Sequence, residues 1–122
     1  MAVTVKTMTV AKVKSGKTFF AISATTTDGQ GAEVIKAAPA AGSAIYIEAL
    51  TVHGDFDGTI DIGDGESASA VETIALTLGC AAEGTLIMLV FRRPIVLTAA
   101  KALTFDCSAA GVTTIVAEGY VI

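Results

Sequence analysis

The sequence predicts an all-β fold, a single antiparallel sandwich or barrel, on three observations. Apolar and polar residues alternate over short stretches, the period of a half-buried strand. No segment sustains apolar positions at i, i+3, i+4 and i+7 over several turns, as an amphipathic helix requires. Glycines and Asp-Gly pairs punctuate the chain at intervals of about 8–12 residues, the spacing of turn-linked strands in sandwiches and barrels.

The elements follow in order. A first strand is expected over Val3 to Val10, with Val3 and Val5 on one face and Met8 and Val10 on the other. That change of parity predicts a bulge or bend near Thr7. Strands then follow over Thr18 to Ala24, Glu33 to Ala37 and Ala44 to Val52. The last is apolar on both parities, as in a strand covered on both faces. Short strands are read over Thr59 to Ile62, Val71 to Leu78, Thr85 to Phe91, Ile95 to Thr98, Leu103 to Cys107 and Val112 to Val121, with Leu76, Leu78, Leu89, Leu103 and Phe105 expected in the core between two face-to-face sheets. Asp28-Gly29, Asp57-Gly58 and Asp64-Gly65 are expected turns, because glycine accepts positive φ and aspartate tolerates it. Pro94 cannot donate to a ladder, so it marks a corner or an edge. The small-residue stretches Ala37 to Gly42 and Ser67 to Ala70 read as loops, with room for a helical turn.

A chain of 122 residues fits one domain with one core. The apolar share is 52% and the mean hydropathy +0.68, though alanine supplies much of it. So apolar a chain with so little interior is expected to place some apolar surface outside, where a partner covers it. The net charge is −4, and the only adjacent cations are Arg92-Arg93. No basic stripe for nucleic acid and no basic amphipathic segment for a membrane surface is present. The longest bulky apolar run, Leu86 to Phe91, is far short of the roughly 20 residues that cross a bilayer as a helix. The alternating start, Met1 to Lys6, lacks a continuous apolar signal core, so synthesis and use in a cytoplasm are expected.

Candidate chemistry is sparse. His53, the only histidine, is the residue any Ser-His-Asp or Cys-His site would need. It ends a strand, with no Gly-x-Ser-x-Gly elbow anywhere in the chain, so a surface or interface role is preferred and no enzyme activity is expected. Cys80 continues the period-two series Ile74, Leu76, Leu78, and Cys107 continues Leu103 and Phe105. Both cysteines are read as buried thiols on the core face, with a disulfide between them as the alternative. The acids Asp55, Asp57, Asp61, Asp64 and Glu66 are dense enough for Ca²⁺. An EF-hand loop beginning at Asp55 would place Ile60 where glycine is required, so turns on either side of Thr59 to Ile62 are preferred to a cation site at Asp55, Asp57, Asp61 and Asp64. Gly63 to Glu66 lacks the lysine and following helix of a phosphate loop. Two cysteines and one histidine, far apart, make no zinc site. No cofactor is expected. Arg92-Arg93 is read either as an inter-subunit ion-pair donor or as a solvated corner that blunts an edge.

Three stretches resemble small jelly-roll structural proteins of tailed bacteriophages. They are Lys36 to Ile47, Ile60 to Glu66, and the closing run Arg93-Pro94-Ile95-Val96-Leu97, Ala102 to Asp106, Gly111 and Glu118-Gly119-Tyr120-Val121. The resemblance spans roughly two thirds of the chain and rests on strand and corner patterns. It implies an antiparallel jelly-roll β-sandwich, often trimeric, used on heads as a decoration (cement) protein or in tails and fibres. The head role, with the major capsid protein or another virion protein as partner, is the leading expectation. It places the protein on the capsid exterior of a virion assembled in the host cytoplasm. The alternative is a tail, fibre or baseplate component, or a receptor- or sugar-binding module, on the same fold. A cupin-like enzyme shares the fold but needs several metal-binding histidines. The N-terminal strand, Val3 to Val10, is the part least covered, and residues 1–13 are a candidate arm or exchanged strand. The terminal strands, Val3 to Val10 and Ile115 to Ile122, are the expected contacts of a homotrimer, because unpaired edges accept a neighbour's strand.

Overall fold

A computed structural model describes residues 3–7, 13–14 and 16–122. Among the described residues there are ten strands and no helix. They are β1 (Thr4–Thr7), β2 (Val13–Lys14), β3 (Lys17–Thr26), β4 (Glu33–Lys36), β5 (Ile45–Gly54), β6 (Gly58–Ser67), β7 (Ala70–Cys80), β8 (Thr85–Val96), β9 (Leu103–Cys107) and β10 (Thr113–Val121). The far half of the first predicted strand, including Met8 and Val10, lies outside the described residues.

Two sheets divide the strands. One runs β1-β3-β10-β5-β8, with β2 also on β3; the other runs β4-β9-β6-β7. Every ladder is antiparallel. From β3 to β6 the chain alternates between sheets, makes the β6–β7 hairpin, and alternates again through β10. That interleaving makes a jelly roll, so the predicted class holds: an antiparallel jelly-roll-like β-sandwich in a single domain.

Alternation builds the core. Phe20, Ile22 and Ala24 of β3, Ile45, Ile47, Leu50 and Val52 of β5, and Ile115 and Ala117 of β10 face inward from the first sheet. Ile60 and Ile62 of β6 and Leu103, Phe105 and Cys107 of β9 meet them from the second. Of the residues expected in the core, Leu103 and Phe105 are fully buried, Leu76 and Leu78 partly so. Leu89 is only half-buried, because among the described residues β8 is an edge strand with β5 as its one neighbour. Ile74 does not share the core face of Leu76 and Leu78. The β6–β7 register slips between Ile62 and Gly63, leaving Ala75 unmatched and turning Ile74 out to solvent.

Three local expectations change. Asp64-Gly65 is not a turn: β6 continues through it to Ser67, with Gly65 at φ +70° inside the strand. The hairpin turn falls instead at Ala68 and Ser69, whose φ values of 51° and 60° are those of a two-residue type I′ loop, with no helical turn. Pro94 does not split a strand, because β8 runs from Thr85 to Val96 through it. It sits where the β5–β8 ladder jumps from Ala49–Val90 to Ile47–Ile95, on the edge where proline is tolerated.

Candidate functional site

The residues singled out for their chemistry are held apart by the fold. His53 lies on β5 opposite Thr114 of β10 and Leu86 of β8, on the outer face of its sheet. Cys80 and Cys107 are free and buried toward the core, on the other side of that sheet. Burial pushes the Cys107 thiol up to about 11, although its contact with the Thr113 hydroxyl pulls the other way. Burial also raises the Cys80 thiol. A thiol held above its ordinary value stays protonated at neutral pH and is a poor nucleophile.

Three of the four candidate carboxylates are spent on backbone and side-chain partners. Asp55 Oδ1 accepts the Val112 amide at 2.7 Å, tying the β5–β6 loop to the loop before β10. Asp61 Oδ1 accepts the Thr77 hydroxyl across the β6–β7 ladder. Asp64 is 3% exposed, and its Oδ2 accepts the Thr98 amide at 2.6 Å, fixing the chain as it leaves β8. Its Oδ1 has no hydrogen-bond partner among the described residues. Asp57 is exposed in the bend before β6. Asp55, Asp61 and Asp64 thus bind three separate partners while Asp57 faces solvent, and among the described residues no group of three or more His, Cys, Asp or Glu is placed to hold a metal ion. Lys101 and Glu72 make a half-exposed ion pair at 2.9 Å that raises the lysine above its ordinary value, first through the hydrogen bond itself.

Two surface features remain, and sequence reasoning assigned neither. The first is a shallow pocket of about 220 Å³ lined by Phe19, Phe20, Ala21, Glu48, Glu118 and Gly119. A bulge creates it. Glu118 and Gly119 pair with Ala49 and Ile47, leaving Glu48 without an opposite residue. A Cβ at Gly119 would come within 1.9 Å of the Tyr46 carbonyl oxygen, so only glycine permits this approach. Beside it, Phe19, Tyr120 and Tyr46 form a row across three strands, the two tyrosines stacked at 4.8 Å and Lys17 over Tyr120.

The second is β8, whose side away from β5 pairs with no strand among the described residues. Leu86, Met88 and Val90 stand outward, 62%, 72% and 85% exposed. On the other face Ile87, Leu89 and Phe91 are only half-buried. The strand is therefore apolar and accessible on both faces. The signal was present in the sequence: Leu86 to Phe91 is apolar at every position, although among the described residues β5 alone flanks it. The expected contact strand Ile115 to Ile122 is corrected, because β10 is paired on both sides by β3 and β5 and offers no edge. β1 is an edge, and it pairs with β3 of its own chain.

Among the described residues no helix is long and apolar enough to cross a membrane. In comparison with known proteins, no family model and no curated protein matches the chain.

Proposed function

We propose that this protein is a virion structural component of a tailed bacteriophage, a capsid decoration or cement protein. It would stabilise the head from its exterior through protein–protein contacts, after assembly in the host cytoplasm. Its partners are further copies of itself and the major capsid protein or another virion protein, rather than nucleic acid or membrane. Three-fold symmetry is what the resemblance implies. The role is mechanical and not enzymatic. One observation supports it most: an edge strand exposing Leu86, Met88 and Val90, on a domain too small to leave such surface uncovered at no cost. The jelly-roll frame, with its loops anchored by Asp55 and Asp64, supplies a stiff body to carry that edge.

The test is co-sedimentation with purified phage heads stripped of accessory proteins. Saturable binding at a fixed copy number per capsomer, with a raised temperature of head rupture, is the expected result. Free protein at every concentration would end the head reading. A second reading, a tail, fibre or baseplate component or a receptor- or sugar-binding module, has its own support in the pocket between Phe19, Glu48 and Glu118 beside the aromatic row. Glycan binding lost on replacing Phe19 by alanine, without head binding, would favour it.

A further inference from the structure

We infer that β8 is a self-association edge, pairing antiparallel with β8 of a second copy across a two-fold axis at Met88. This rests on the reading above that copies of the chain associate, and puts a two-fold contact in place of the three-fold arrangement that the resemblance implies.

Protein edges are ordinarily blunted by lysine, proline, bulges or a covering loop. β1, at the far side of the same sheet, follows that rule: it is four residues long and carries Lys6. β8 departs from it. From Thr85 to Val90 it matches β5 residue for residue from Gly54 to Ala49 with no bulge, and it bears no charge. The irregularity and Pro94 come only after Val90. The regular, uncharged part of the edge is thus the part left unpaired.

The charges at its two ends identify the occupant. Glu83 lies just before β8, and Arg92 and Arg93 follow its regular part. All three are exposed, and none is ion-paired among the described residues. Antiparallel pairing about Met88 sets Met88 against Met88 and Leu86 against Val90, and brings Glu83 of each copy to Arg92-Arg93 of the other. An axis perpendicular to the sheet requires opposed residues to share a face, and these do. The contact is isologous and closes on itself as a dimer. A head-to-tail union of β8 with β1 would form an open filament. It would also leave the arginines without an acid, because Thr4 to Thr7 contains none.

The experiment uses the full chain in sedimentation equilibrium, with circular dichroism as the control for folding. A dimer of the 12.3 kDa chain is expected. Met88→Lys places two like charges on the axis and should raise Kd at least about tenfold, a loss of about 1.4 kcal/mol. Glu83→Arg alone and Arg93→Glu alone should each weaken the dimer by about fivefold, as exposed ion pairs counted twice by symmetry do. Mixing these two variants should restore dimers, because each then supplies what the other lacks. Both substitutions are exposed, so the mixing result stands even where Met88→Lys fails to fold. A monomer at high concentration, a trimer indifferent to Met88→Lys, or mixed variants that stay apart would overturn the inference. A dimer that ignores phage heads would leave it standing and sink the decoration role instead.

Discussion

β9 and β8 look alike as sequence and differ in almost everything the fold gives them. Leu103-Thr104-Phe105-Asp106-Cys107 and Thr85 to Phe91 are both short, apolar and free of glycine. β9 lies between β4 and β6, and Leu103, Thr104, Phe105 and Cys107 are all buried. Even its threonine is satisfied, the Thr104 hydroxyl donating to the Gly65 carbonyl at 2.8 Å. Among the described residues β8 has one neighbour, and its outward residues are among the most exposed large apolar side chains. Apolar content makes a strand; the place of that strand in the sheet order decides whether the apolar surface stabilises the fold or remains available to a partner.

The largest test of that contrast is in β9. Phe105→Ala removes a ring that is 1% exposed in the middle of the inter-sheet core. Cavity formation there should cost about 3–5 kcal/mol, read as a lower denaturant midpoint with an unchanged slope. A loss under about 1 kcal/mol would show that the centre of the sandwich is no better packed than its edge.

Next comes the bulge that separates Ile74 from Leu76. A Cβ at Gly63 would lie 1.9 Å from the Thr73 carbonyl oxygen, inside the β6–β7 ladder. Gly63→Ala should therefore cost about 1–3 kcal/mol through forced separation of the two strands. A neutral result would mean that β7 is loosely held, and that the open side of the sandwich extends to the hairpin.

A third test concerns the buried carboxylate at the exit of β8. Asp64→Ala leaves the Thr98 amide without its acceptor and should cost about 1–3 kcal/mol. Loosening should concentrate around Thr98 to Lys101, which hydrogen exchange would resolve. Protection lost instead along β9 would show that Asp64 supports the core strand directly.

These residues also mark how far the sequence can be read. Most strands, the antiparallel class and the inward set Leu103, Phe105 and Cys107 of β9 follow from alternation, a local property, whereas β5 is apolar on both parities and shows its inward set only through the bulge at Glu48. The sense of Asp64-Gly65 does not, because its cause is distant: the carboxylate turns inward to meet an amide at Thr98. Ala68 and Ser69 carry the hairpin turn without the glycine or asparagine that ordinarily announces one. Ile74 is displaced by a single unmatched residue, since one step along a strand reverses the face. For the candidate site, the apolar run and its flanking charges were legible, but its edge position was not. Edge or centre is fixed by strand order, which has no local signature. The pocket at Glu48 depends on a bulge between strands far apart in sequence, and was equally out of reach.

Cys107 gives a pH test of how tightly β9 is enclosed. Its folded pKa is raised from 9.0 to about 11, so below pH 9 the thiol is protonated in both states and the difference costs nothing. As pH rises from about 9 toward about 11, the unfolded chain ionises first and stability falls; above that range the loss is complete. Cys107→Ser should flatten that alkaline decline relative to the parent. An unchanged slope would place the thiol in contact with water.

The smallest expected effect returns to β8. Val90 is 85% exposed, so Val90→Thr removes little buried area and keeps a β-branched side chain suited to a strand. Measured where the chain is monomeric, its stability should stay within about 0.5 kcal/mol of the parent. Measured where copies associate, the same change should weaken the oligomer, because Val90 then faces Leu86 of a neighbour and the added hydroxyl is buried there. The two measurements belong together, since the proposal depends on their difference. An equal loss in both would mean that Val90 contributes to the folding of its own chain and not to a second one.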